Sequence, residues 1–151
     1  MNANIKDFFI VLLQLSFLAL FVLIGQWNAR FMDPYIQIVG YLSILFGFLV
    51  FLLGIYQLRT YISIFPTPVR DGELITTGIY KYIRHPMYTG LFFVLIGYGA
   101  VSLNFYRLLI AIVIILIVLE KVEYEENRLM EKYRKYKDYK VKTGKFISKL
   151  F

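Results

Sequence analysis

Long runs without a charged residue, separated by polar connections, dominate the chain. Residues 8–25 contain none, close to the ~20 apolar positions an α-helix needs to cross a bilayer. Residues 36–58 are uncharged and longer, 87–103 are uncharged but shorter, and 105–119 carry only Arg107, at their outer end. The pattern predicts an all-α integral membrane protein with about four transmembrane helices, the last two near the lower limit of length. The first run reads poorly as a signal peptide. One lysine precedes it, and Leu23-Ile24-Gly25 is a poor cleavage site. Gly40, Gly47 and Gly54 recur every seven residues in the second run, and Gly90 and Gly97 in the third. Seven residues is about two helical turns, so each set predicts a smooth stripe for close helix packing.

Charge adds direction. An even number of spans puts both termini and the loop around 59–87 on one side. Fifteen of the seventeen lysines and arginines fall there, and only Arg30 and Arg107 fall on the other. The positive-inside rule then predicts cytoplasmic termini. The net charge of +7 borders apolar spans, so membrane lipids are the expected partner of the basic residues, and nucleic acid is not.

Composition changes the picture mainly by exclusion. Of the 151 residues, 59% are hydrophobic and 18% charged, and mean hydropathy is +0.63. Disorder is excluded, because apolar surface is abundant. The chain has no cysteine and one histidine, which excludes disulfides, thiol nucleophiles and a His-rich or thiolate metal site. Its many Lys, Ile, Tyr and Phe residues suggest an AT-rich prokaryotic genome, hence a prokaryotic cell membrane.

Two polar segments carry candidate chemistry. Residues 72–90 are dense in polar and aromatic groups and lead into the third run. Pro86 suits the first turn of a helix. Arg84 and His85 then flank a helix N-terminus, whose free N–H groups favour an anion; a belt of interfacial Tyr and Arg anchors is the simpler alternative. The fourth run continues into Glu120, Lys121, Glu123, Glu125 and Glu126. Four acids within seven residues can be a solvated helix end, or a site for a ligand bearing positive charge and hydroxyls. Helical spacing puts Lys121 and Glu125 on one face. Further on, Leu129, Tyr133, Tyr136 and Lys140 line one face of a basic helix, an amphipathic C-terminal element suited to the membrane surface.

The run Gly78-x-Tyr80-x3-Arg84-His85-Pro86-x-Tyr88-x-Gly90, followed after an apolar hairpin by Glu125-Glu126-x-x-Leu129, resembles the isoprenylcysteine carboxyl methyltransferase family. The wider group includes phospholipid N-methyltransferases. The resemblance covers about residues 72–148, and the tail from Tyr139 to Ile147 shares it. It implies a single membrane methyltransferase domain over 1–151, with two N-terminal spans in 1–58 and a cofactor-binding core in 59–151. It implies S-adenosyl-L-methionine as cofactor, held at the cytosolic face by Leu74, Ile75, Tyr80, His85, Pro86, Met87, Tyr88 and Glu125, with Gly72 and Glu73 flanking the pocket. Arg84 and His85 are the implied catalytic pair, Lys121 the substrate contact, and no metal takes part. Lys121 stands where the family has arginine, which keeps the charge but loses the two-pronged fork for a carboxylate. Arg134 and Ser148 depart from a frequent glycine and proline.

The residue types fit that chemistry. Tyrosine ring faces attract a sulfonium cation. Glu125 accepts from an ammonium or hydroxyls. Free N–H groups at the start of the third helix suit a carboxylate. The expected reaction is methylation of a lipophilic or lipid-modified acceptor, first a carboxylate as in isoprenylcysteine methylation, with a lipid amine as the alternative. An amine or phenol needs a base, and His85 is the only imidazole; a loop-shaping cap is its structural alternative. A non-catalytic membrane relative and a sterol-type reductase are the competing classes. The chain has no Gly-x-Gly-x-x-Gly run for a dinucleotide.

Overall fold

The computed structural model describes residues 4–25, 33–59, 61–68 and 72–149. Arg30 and Arg70, both used in the charge count above, lie outside the described residues. Among the described residues five α-helices follow one another: α1 (Ile5–Leu23), α2 (Pro34–Leu58), α3 (Pro86–Val101), α4 (Phe105–Lys132) and α5 (Tyr136–Lys142), with a 3-10 turn at Gly78–Lys81 before α3. Among the described residues there is no β-strand, only one isolated parallel bridge between Ile83 and Gly144.

Each helix starts where local chemistry allows. At α1, Asn4 and Asp7 form a reciprocal capping box. Asp33 caps α2 ahead of Pro34, and Asn104 caps α4 through the Arg107 N–H. Pro86 opens α3, as the sequence predicts. α1 and α2 are long and apolar enough to cross a membrane. α3 has 16 residues, roughly 24 Å at ~1.5 Å per residue. α4 has 28, roughly 42 Å, well beyond the ~30 Å of a hydrocarbon core. Its polar last turns therefore extend past its apolar part. Large apolar side chains such as Phe9, Leu12, Phe46, Leu49, Ile112 and Leu116 are exposed on the outside.

Two helix pairings organise the bundle. α2 and α3 meet along their glycines, as the stripes predict. A Cβ on Gly47 would lie 2.6 Å from the Gly90 carbonyl oxygen, and one on Gly97 would lie 2.7 Å from that of Gly40. α1 and α4 share the main apolar core, built from Phe21, Ile110, Ala111, Ile114, Val118 and Val122 with Leu95 of α3. At the far end of this pair, buried Arg107 donates to the Phe21 and Ile24 carbonyls, the unsatisfied C-terminal groups of α1. Asn104 Nδ2 donates to the Gly25 carbonyl at 2.8 Å.

The C-terminal part departs from the expected amphipathic surface helix. α4 stops at Lys132, and α5 is seven residues long. Tyr136 is fully buried, and Tyr133 and Tyr139 donate to the Gly72 and Tyr80 carbonyls, both at 2.6 Å. The aromatic face thus turns inward onto the loop before α3 rather than outward. The reason is hydrogen bonding: that loop offers free carbonyls which the phenols satisfy.

Candidate functional site

One end of the bundle gathers the chemistry-bearing residues. There the end of α2, the loop 61–68, the segment 72–85, the N-terminus of α3, the end of α4 and α5 surround a partly open cavity. Leu74, Ile75, Tyr80, Arg84, His85, Pro86, Met87, Tyr88 and Glu125 all line it, and so do Gly72 and Glu73. Lys121 does not line it. Its Nζ donates to Gln14 Oε1 and the Ile64 carbonyl, both at 2.9 Å, and lies 5.5 Å from the Tyr88 ring centre. It ties α1 and the loop to α4 behind the cavity wall.

The paired acids divide their work. Glu125 faces the cavity and accepts from the Tyr88 hydroxyl at 3.2 Å. Burial holds its carboxyl above the usual carboxylate range, against the pull of His85, Lys121 and the Tyr88 hydrogen bond. Glu126 points the other way and is completely buried. Arg84 Nε reaches it at 2.8 Å, Lys140 Nζ at 2.7 Å and His85 Nε2 at 3.2 Å. Burial pushes this carboxyl up, but the hydrogen bonds from His85, Lys140 and Arg84 outweigh that and hold it well below its ordinary value. Glu123 is exposed and pairs with Lys145 at 2.9 Å.

Arg84 is held through Nε and Nη1. Besides Glu126 it donates to the Lys140 carbonyl at 3.0 Å and to the Thr143 carbonyl. Backbone bonds from Arg84 N to Gly144 O (2.9 Å) and from His85 N to Lys145 O (3.1 Å) fasten the tail beside the segment 82–85. Thr89 Oγ1 adds a bond to Phe146 O at 2.8 Å. His85 occupies the N-cap position of α3, yet its side chain makes no cap bond. The ring therefore does not cap the helix, and its ties are instead to Glu126 and, through the backbone, to Lys145; the Met87 and Tyr88 N–H groups of the first turn receive no cap bond from it. The Tyr80 phenol, held protonated by burial with Glu125 and Tyr139 adding to the effect, donates to the Gly54 carbonyl at 3.3 Å.

Sequence reasoning missed one wall. Tyr61, Ser63, Phe65, Pro66, Thr67 and Pro68 face the cavity. They are held there from α1: Thr67 Oγ1 donates to fully buried Asp7 at 2.7 Å, and the Phe8 and Phe65 rings pack at 4.7 Å. The capping spacing Asn4-x-x-Asp7 is visible in the sequence, but nothing local reveals that Asp7 also receives Thr67. Leu129, Tyr133 and Tyr136, read as part of a membrane-surface face, also line the cavity, and so does Tyr139. Among the described residues no group of His, Asp and Glu is placed to hold a metal.

Among the described residues the fold is a helical bundle with apolar outer faces and an acid- and tyrosine-lined cavity at one end, an arrangement that suits a membrane-associated protein with a ligand site. The match to known sequences narrows this: the family model "Phospholipid methyltransferase" covers residues 35–136, and the chain belongs to that family. It is also similar to the Dictyostelium discoideum protein-S-isoprenylcysteine O-methyltransferase, 33% identical over 84 residues, 46% of this chain and 30% of the relative. A nickel-cobalt-cadmium resistance protein, NccN, of Alcaligenes xylosoxydans xylosoxydans is 24% identical over 127 residues, 83% of this chain and 56% of the relative. The chain thus spans between 30% and just over half of these relatives' lengths.

Proposed function

We propose that the protein is a membrane methyltransferase that uses S-adenosyl-L-methionine to methylate a lipophilic acceptor entering from the bilayer. The observation that carries this reading is the convergence on one cavity of Leu74, Ile75, Tyr80, the His85-Pro86-Met87-Tyr88 run and Glu125, in a chain of the phospholipid methyltransferase family. The donor set suits the cofactor: a carboxylate for ammonium and hydroxyls, aromatic faces for a cation and uncapped N–H groups at α3 for a carboxylate. When bound, the cofactor supplies an electrophilic methyl on a sulfonium sulfur. The chain's residues hold and orient the reactants and exclude water.

α1 to α4 act as four spans, with both termini and the cavity at the cytoplasmic face, in a single domain whose first two spans support a cofactor-binding core. A carboxylate acceptor, as in the isoprenylcysteine relative, is the first reading and needs no base. A second, lipid amines, is favoured by a specific observation. Lys121, which would have met a carboxylate, is committed to Gln14 and Ile64 outside the cavity, and Arg84 has its charge offset by Glu126, while Glu73 and Glu125 line the cavity. Transfer of labelled methyl from S-adenosylmethionine into a total lipid extract, with the product separated as ester or amine, tests both. A base-labile methyl ester supports the first and a methylated headgroup the second. No transfer to lipid or prenylated peptide would contradict the enzyme reading.

A further inference from the structure

The proposed function gives Glu126 no task, yet three donors from two separate parts of the chain converge on its fully buried carboxylate: Arg84 and His85 ahead of α3, and Lys140 of α5. Arg84 and Lys140 already supply two positive charges. The third contact, to His85, does something the other two do not, because imidazole has two unlike nitrogens. We propose that Glu126 is a positioning residue which fixes the His85 ring with its proton on Nε2, so that Nδ1 stands in the cavity as a proton acceptor for an N–H group of the acceptor lipid. The identity of that lipid rests on the amine reading above; the state of the ring does not.

The argument is one of donors and acceptors. An ionised carboxylate only accepts, and the cationic neighbours keep Glu126 ionised. The 3.2 Å contact therefore requires a hydrogen on Nε2. A neutral imidazole then has its lone pair on Nδ1. That nitrogen bonds to no described residue, and the side chain makes no cap bond to α3. The ring itself lines the cavity. It packs against the Tyr88 and Phe146 rings at 5.8 and 6.1 Å, and the backbone bond from His85 N to Lys145 O fixes its base. Around Glu126 stand Arg84 and His85 from the segment before α3, Lys140 and the Tyr136 phenol from α5, and Glu123 and Glu125 on its own helix.

The chemistry balances. A lipid ammonium cannot attack a methyl group until it loses a proton. Its N–H bond breaks as Nδ1–H forms, and Glu126 offsets the charge the ring acquires. The freed amine lone pair then forms the N–CH3 bond while the methyl–sulfur bond breaks and its electron pair stays on sulfur. The imidazolium returns its proton to water after release.

The single histidine makes the test direct. Nitrogen NMR of the imidazole-labelled protein in micelles, at a pH where the ring is neutral, shows one pair of ring signals. The expected result is a protonated Nε2 and an unprotonated Nδ1, with no ligand added. A proton on Nδ1, or a mixture of tautomers, overturns the proposal. In Glu126→Gln the amide can donate as well as accept, so both tautomers should appear; an unchanged spectrum removes the positioning role. Phosphatidylethanolamine added to the micelles should then shift Nδ1 and leave Nε2 in place, whereas phosphatidylcholine, which has the same phosphate but no N–H, should shift neither. Equal responses to the two lipids, or none to either, overturn the amine assignment. Because the ligand-free spectrum needs no turnover, a locked ring in a protein that transfers no methyl counts against the proposed function and not against Glu126.

Discussion

The seam between α2 and α3 and the cluster around Glu126 both hold α3 in place, by opposite means. At the seam, side chains are missing: Gly47 and Gly90 let the two backbones touch, and a Cβ on Gly90 would lie 2.7 Å from the Phe51 nitrogen. At the cluster, side chains are everything, and charges brought from positions 84, 126 and 140 meet in a buried space. The seam is steric and tolerant of chemistry. The cluster is chemical: a buried ion pair is costly to break, since one unpaired charge is left behind. The seam stiffens the apolar part, while the cluster fixes the tail and the His85 ring beside the cavity.

The contrast can be broken most forcefully at Glu126. Glu126→Ala leaves Arg84 and Lys140 without their carboxylate and is expected to lower stability by about 3–5 kcal/mol, read from thermal unfolding in detergent. Protease should then release the tail after Lys140 first. A variant as stable as the wild type would show that the cluster carries no structural load.

Next comes Gly47→Ala. Its new methyl would meet the Gly90 carbonyl, the Phe93 Cβ and the Val94 nitrogen at 2.6–2.9 Å, so about 1–3 kcal/mol of overpacking is expected. Cofactor affinity should change little, because the contact lies in the middle of the helices. The same unfolding assay with ligand binding alongside separates the two effects.

Acid sharpens the comparison further. Glu126 has a folded pKa below its ordinary value of about 4.3. The unfolded chain therefore takes up the proton first as pH falls. The group's stabilisation is full above about pH 4.3 and is lost as pH drops from there toward the folded value. Thermal midpoints between about pH 6 and about pH 3 should fall in the wild type, and less in Glu126→Gln. The glycine seam has no titrating group, so Gly47→Ala should keep the wild-type slope.

The smallest effect is expected at the wall. Thr67→Val removes the hydroxyl that donates to Asp7 and should cost about 0.5–1.5 kcal/mol, the worth of one hydrogen bond, since the same carboxylate oxygen keeps its bond from the Asn4 N–H. Its proteolysis signature belongs to the loop 61–68, not to the tail.

What the sequence discloses follows the same division. Periodic features are local, so the four apolar stretches, the start of α3 at Pro86 and the facing glycine stripes are legible in the order of residues alone. The residues of the Arg-His-Pro-x-Tyr segment and Glu125 can be named together only because their joint order resembles a family. Three features are hidden from such a reading. Lys121 lies at a substrate-contact position by resemblance, but its amine is taken by Gln14, 107 residues away. Asp7 reads as a helix cap, yet Thr67, 60 residues on, donates to it. Leu129, Tyr133, Tyr136 and Lys140 have the spacing of a surface stripe, and only the Gly72 carbonyl, which accepts from Tyr133, and the Tyr80 carbonyl, which accepts from Tyr139, show that this end of the chain turns inward. Each is a polar contact across the fold, to which hydrophobic periodicity is blind.

The central claim is that the cavity binds S-adenosylmethionine through Glu125 and not through the acidic cluster at large. Calorimetry with S-adenosylhomocysteine on wild type, Glu125→Gln and Glu123→Gln in detergent tests it most directly. The account predicts binding by the wild type. Glu125→Gln should lose about 1.5–3 kcal/mol, the worth of a hydrogen bond to a charged group. Glu123→Gln, which loses only an exposed pair with Lys145, should change the affinity little. No binding by the wild type at millimolar ligand, or equal losses in the two variants, would contradict it.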